Sequence, residues 1–157
     1  MLTKLESLCR EADGRYATDR ELQFLLNYTQ SFPLRLRTYD KICSLESRIV
    51  QQVYSKLEER SPDVFIRGEQ NLSSKWKQDT IRILRHTAVA LLLNDPERFR
   101  DRVLLWFQTI MRAYNAQRSC DLTYQVMQEV MQSNLSPEEA RLFCPLLEYT
   151  RKLLSGI

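Results

Sequence analysis

The sequence predicts an all-α fold, and three observations carry that expectation. Apolar residues recur every three or four positions over long stretches, as in Leu22, Leu25 and Leu26 or Ile42, Cys43, Ile49, Val50, Val53 and Leu57. No segment alternates with period two for long enough to build a strand. Only 3 Gly occur in 157 residues, which suits a helix-rich chain.

The helices follow in order. Leu2, Leu5 and Leu8-Cys9 give a short amphipathic N-terminal helix, and Gly14 is its natural break. Thr18 and Glu21 form a capping box for a second helix that is expected to end near Ser31. Ser31 then caps a third helix with Pro33 in its first turn, where the missing N–H does no harm. Helical spacing continues to about Arg60, and Pro62 stops it. Residues 61–72 hold Pro62, Gly68 and Asn71 and read as a loop. A helix over 73–93 follows, capped by Ser73 or Ser74 and stopped by Asn94-Asp95-Pro96. Helices over 98–114, 121–133 and 136–154 complete the set. Ser136 and Glu139 make a second capping box, and Pro145 is expected to kink or split the last helix.

Bulk properties exclude several classes. One domain spans 1–157, long enough to bury a normal core. The formal net charge is +3 and the basic residues are dispersed among acids; without a basic block interleaved with aromatics, nucleic acid is not the expected partner. Residues 1–14 mix Lys4, Glu6, Arg10 and Asp13 into the apolar positions, unlike a signal peptide. The longest apolar run, Ala88 to Leu93, is too short to span a bilayer. Cys9, Cys43, Cys120 and Cys144 have no metal-ligand spacing and are expected to be reduced, buried or inert thiols. No phosphate loop, triad or isolated carboxylate pair is present, so no catalytic residues, metal site or enzymatic activity are expected.

Several collinear fragments carry a family likeness. Residues 11–16, Glu-Ala-Asp-Gly-Arg-Tyr, are followed by Glu21-Leu22, Arg35-Leu36-Arg37, Arg48-Ile49-Val50-Gln51-Gln52 and Ser61-Pro62-Asp63-Val64. Asp79, Ile83-Leu84-Arg85-His86 and Asn94-Asp95-Pro96 come next, and Asp101-Arg102-Val103-Leu104 and Met127-Gln128-Glu129-Val130 match more loosely. In this order and spacing the chain resembles the phycobiliproteins, with the α-type allophycocyanin subunit the nearest pattern. The resemblance implies a globin-like phycobiliprotein fold with an N-terminal helical hairpin, the extension covering about 1–31.

The resemblance also places Trp76 where the family carries the cysteine that forms a thioether to its bilin. Gln78 stands where the family has Arg, and Asp79 falls on the family's Asp. An indole supplies no sulfur nucleophile, so no covalently bound bilin is expected. Trp76 can be read as a plug filling the vacated pocket or as an aromatic wall for a non-covalent bilin. Asp79 can accept hydrogen bonds from pyrrole N–H groups, or be an ordinary carboxylate in the first turns of a helix. Gln78 would contact a propionate or carbonyl. Haem is not expected: His86 is the only histidine, and residues 98–114 offer no axial ligand.

The resemblance further implies that the N-terminal hairpin meets a partner subunit, with an Asp at its tip facing an Arg on the partner's bilin helix; Asp13 and Arg85 match those two positions. Leu5, Leu8, Asp13, Tyr16 and Arg85 are therefore the association candidates, toward a second copy or a phycobiliprotein-type subunit. The first expectation is thus a non-enzymatic interaction protein serving phycobilisome or photosystem assembly, turnover or regulation. The alternatives are a non-covalent bilin carrier or sensor and a non-haem sensor globin. The expected location is the cytoplasm, at most peripheral on the cytoplasmic face of the thylakoid membrane.

Overall fold

The computed structural model describes residues 1–156. The chain folds as α1 (Leu2–Glu11), α2 (Asp19–Arg60), α3 (Ser73–Leu93), α4 (Pro96–Phe99), α5 (Leu105–Ala113), α6 (Gln117–Asn134) and α7 (Pro137–Ser155). A 3₁₀ turn over Pro62–Phe65 and a hairpin of two-residue strands, Ile66–Arg67 against Gln70–Asn71, interrupt the stretch expected to be a loop. Among the described residues no helix is long and apolar enough to cross a membrane.

The expected break near Ser31 does not occur: α2 runs unbroken for 42 residues through Pro33. The Ser31 hydroxyl turns back onto the Asn27 carbonyl at 2.8 Å instead of capping a new helix. Contacts to the end of α3 hold this region. The Tyr28 phenol donates to the Leu92 carbonyl at 3.2 Å, and the Arg35 guanidinium donates to the Leu91 carbonyl at 3.1 Å. These satisfy carbonyls that the helix C-terminus leaves without an intrahelical partner, and a cation there is electrostatically favoured. Both capping boxes form as expected, at Thr18/Glu21 and at Ser136/Glu139. α7 continues through Pro145 without a break. The start of α3 is served by neither Ser73 nor Ser74; the Asn71 side-chain oxygen accepts from the Ser73 N–H at 2.9 Å.

The expected single helix over 98–114 is two pieces joined by a π-turn, Arg100–Leu104, in which the Leu105 N–H reaches back to the Arg100 carbonyl. The wider turn inserts one residue into the helical register. Phe99 and Leu104, five apart, both become buried in line with Phe107 and Met111, while Leu105 and Trp106 face outward.

The core is a layer of helices. α6 and α7 pack on each other most extensively, and α2 lies against α3 and α6. Ile49, Val53, Ile83, Leu84, Met127, Met131, Phe143 and Leu147 are fully enclosed there. Buried threonines return their hydroxyls to their own helix: Thr38 to Leu34, Thr87 to Ile83 and Thr150 to Leu146. Glu139, almost fully buried, completes its capping box and accepts from the Lys41 ammonium at 2.9 Å.

The joint after α3 anchors α1. Asn94 adopts the left-handed conformation at φ 48°, and the Asp95 N–H returns to the Ala90 carbonyl. The Asp95 carboxylate, 3% exposed, accepts from the Thr3 N–H (2.9 Å), the Thr3 hydroxyl (2.8 Å) and the Arg98 N–H (3.2 Å). It therefore caps α4 and tethers α1 at once. Burial alone would raise its pKa; the hydrogen bonds outweigh that and hold the carboxyl below its ordinary range. α1 has no fully buried residue of its own, so this tether matters to its docking.

Candidate functional site: an open cleft between α3, α5 and α6

α3 turns four successive-turn neighbours to one side: Lys75, Trp76, Asp79 and Thr80 line a cleft of about 580 Å³. Phe107 and Met111 of α5 and Cys120, Thr123 and Tyr124 of α6 form the opposite wall. Ile66, Arg67 and Gln70 of the hairpin and Tyr114 stand at the mouth. The volume is in the range of about 300–1,000 Å³ typical of small-molecule sites.

Trp76 is a wall of this cleft and does not fill it. Its indole N–H donates to the Thr123 hydroxyl at 2.9 Å, tying α3 to α6. Its ring stands nearly perpendicular to that of Phe65 with centroids 5.2 Å apart, and the Tyr54 ring centre lies 5.9 Å away. Hydrogen bond and aromatic packing together fix the ring against the back of the site. Trp76 thus borders open space instead of filling all of it.

Asp79 is half-buried in the cleft and makes no hydrogen bond or ion pair among the described residues. Burial raises its pKa, an effect only partly countered by the Lys75 and Arg82 charges. Burial also pushes the Cys120 thiol up, to about 12, and the Asp79 and Asp121 charges add to it. The thiolate is the nucleophile, so burial works against reactivity of this thiol. The Tyr124 phenol is raised for the same first reason, with Cys120 and Asp79 adding.

The mouth is cationic. The Lys75 ammonium sits 4.7 Å and the Arg67 guanidinium 5.2 Å from the centre of the Tyr114 ring. Neither is ion-paired among the described residues, whereas Arg118 is held by Asp63. The cleft thus combines aromatic and apolar walls, one unpartnered carboxylate inside and two uncommitted cations at the edge. That arrangement suits a flat, apolar molecule carrying N–H donors in its middle and acidic groups at one side. Among the described residues no group of three His, Cys, Asp or Glu side chains is placed to hold a metal.

The phycobilisome protein family model matches residues 9–154. The chain belongs to the phycobilisome protein family. No curated protein matches it. Members of this all-α, globin-like family bind bilins, usually covalently through a cysteine. Phycobiliproteins are light-harvesting proteins that typically assemble into oligomers with other phycobiliprotein subunits, and the family is associated with the thylakoid surface.

Of the three sequence-derived cofactor candidates, two come together in this phycobilisome-family cleft and one does not. Trp76 and Asp79 line it. Gln78 is exposed on a shallow groove with Ile81, Arg82, Arg85, His86 and Val89. At about 100° per residue it lies some 200° around α3 from Trp76. Cys120 and Tyr124 were missed, because nothing local marks α6 as a wall; their spacing of four places both on one helix face, which is the only sequence signal they carry.

The association candidates are scattered. Tyr16 is 98% exposed and Asp13 is exposed, while Leu5 and Leu8 are half-buried on α1, a helix that touches α4. Arg85 is engaged within the chain: its guanidinium binds both carboxylate oxygens of Glu46 at 2.7 Å. His86 is exposed. All four cysteines are free; Cys120 is buried and Cys144 half-buried, while Cys9 and Cys43 are exposed.

Proposed function

We propose that this phycobilisome-family protein holds a linear tetrapyrrole reversibly, as a carrier or sensor, without a thioether bond. The observation that carries the reading is the open cleft with an unpartnered Asp79 inside and uncommitted Arg67 and Lys75 at its mouth. Asp79 would accept from pyrrole N–H groups, the Trp76 indole would face the conjugated plane, and the two cations would take the propionates. Cys120 reaches the cleft, but its protonated thiol favours a pigment that comes and goes over one that is attached.

Titration with biliverdin tests this. Saturable binding with a shifted red absorption band, weakened in Asp79→Asn and reversed by dialysis against excess apo-protein, is the expected result. A flat titration at high micromolar protein overturns the reading.

A second reading is an association role for the N-terminal turn, in assembly, turnover or regulation. A fully exposed Tyr16 beside Asp13, with Leu26 exposed on α2, favours it. Tyr16 is the residue type that dominates interface energetics when it is buried by a partner. Arg85 would have to leave Glu46 to take part. Sedimentation of the protein with and without allophycocyanin subunits, compared with Tyr16→Ser, checks it; identical profiles for both proteins would remove Tyr16 from any interface.

A further inference from the structure

The π-turn before α5 shapes the outside of the protein as well as the core. It keeps Phe99, Leu104, Phe107 and Met111 buried and turns Leu105 and Trp106 outward, 45% and 53% exposed. At about 100° per residue, Leu105, Trp106, Thr109, Arg112 and Ala113 fall within about 120° of arc on α5, opposite its buried side. All five are exposed, and so is Arg102 in the turn before them. None of the six borders the cleft or the groove along α3. Turns of this wider kind are rare and occur frequently at functional sites.

The face is cationic as well as apolar. Between Pro96 and Ala113 four arginines stand against two acids. Arg98 reaches Glu6 at 3.7 Å and Arg100 holds Asp101 at 2.6 Å, whereas Arg102 and Arg112 make no hydrogen bond or ion pair among the described residues. α5 itself carries no acid. A second copy is therefore a poor occupant, because two such faces laid together would bring arginine near arginine with no carboxylate on either helix to pair them. The face is also the convex outside of a helix, without the pocket that anchors a protein partner's side chain. An anionic bilayer is fluid and moulds around a ridge. At its boundary an indole sits between water and hydrocarbon, and an arginine stem lies along apolar groups while the guanidinium reaches a phosphate.

We propose that the outward face of α5 is a contact surface for an anionic lipid bilayer, with Trp106 and Leu105 entering the headgroup region and Arg102 and Arg112 taking lipid phosphates at its two ends. The two arginines stand about 15 Å apart along the helix, so each meets its own headgroup. The contact is shallow and reversible. One indole and one leucine are far less than a lipid anchor supplies, and the two charges make attachment depend on anionic lipid and on low salt. The surface stands apart from the cleft, and its test does not depend on whether pigment binds there.

Trp106 supplies its own readout, because the chain's other tryptophan, Trp76, is only 9% exposed. The full chain is mixed with vesicles of equal parts phosphatidylglycerol and phosphatidylcholine, or of phosphatidylcholine alone, and followed by cosedimentation and by acrylamide quenching of tryptophan emission. The expected result is binding to the anionic vesicles only, reversed by salt, with the quenchable emission protected in the bound protein. Trp106→Ser should lower the partition coefficient roughly tenfold, and Arg102→Gln and Arg112→Gln about fivefold each. All three side chains are exposed, so melting temperatures should stay at the wild-type value. If Trp106→Ser folds poorly, the double arginine variant tests the same surface. No binding to either vesicle, equal binding to both, undiminished binding by the double arginine variant, or bound protein whose Trp106 stays open to acrylamide would each overturn the proposal. Protection of Trp106 by polyglutamate but not by vesicles would also overturn it, and would assign the face to an acidic protein surface.

Discussion

The helical body and the cleft are built from the same helices yet obey opposite rules. Behind Trp76, the faces of α2, α3, α6 and α7 are closed with apolar side chains, and each buried hydroxyl returns to its own backbone. In front of Trp76, the same α3 and α6 border open space with a carboxylate and a phenol that have no hydrogen-bond partner among the described residues. A fold under pressure only for stability would fill that space or pair those groups, because unpaired polar groups at low exposure cost free energy. The contrast is what supports the proposal of a binding site in the cleft.

Substitutions can sharpen this contrast. The largest effect is expected behind Trp76: Phe143→Ala, at a fully buried position, should cost about 3–5 kcal/mol in denaturant unfolding through the cavity it leaves. Biliverdin affinity of the folded fraction should be unchanged. A strong loss of affinity would mean that core and cleft are not separable.

Next comes the tether. Asp95→Ala removes the α4 cap and strands the Thr3 donors, for an expected loss of about 1–3 kcal/mol. Faster amide exchange confined to α1 and α4 would show that the loss is local. The pH dependence has a definite sign. The unfolded Asp95 carboxyl protonates at its ordinary value, while the folded one keeps its charge to lower pH. Its contribution is therefore complete above the ordinary value and disappears as pH falls through the depressed one. In Asp95→Asn the loss of stability on acidification should be shallower than in wild type.

Asp79→Asn should act in the opposite direction. Burial raises the folded pKa of Asp79, so its ionisation disfavours the folded state as pH rises through that raised value. The variant should be as stable as wild type at neutral pH or slightly more so, while binding biliverdin less tightly. Marked destabilisation would place Asp79 among the structural groups and dissolve the comparison. The smallest effect is expected at Tyr16→Ser, within about 0.5 kcal/mol of wild type, because this side chain has almost nothing to lose inside the chain.

The sequence made the helices legible because their signals are local. Both capping boxes and the Asn94-Asp95-Pro96 stop depend on residues within one turn. Ser31 and Pro33 misled for the same reason. They form a valid local start signal, overridden by Tyr28 and Arg35 reaching the carboxyl end of α3 more than fifty residues away. The π-turn was invisible, since an inserted residue leaves no mark beyond the five-residue step from Phe99 to Leu104. In the cleft, the α3 wall could be placed from the resemblance to the phycobiliproteins at Trp76 and Asp79. Its other walls come from Arg67, Tyr114, Cys120 and Tyr124, which only tertiary packing brings together. Gln78 shows the limit of reading by position, because adjacency in sequence puts neighbours on different helix faces.

The most direct test of a reversible tetrapyrrole site is purification of the intact chain from cells that also make phycocyanobilin, with absorption spectra before and after denaturation in acidic urea. The expected result is a red band on the native protein and a colourless chain after denaturation, with the pigment recovered in the extract. A colourless native protein, or colour that stays on the denatured chain, would contradict it.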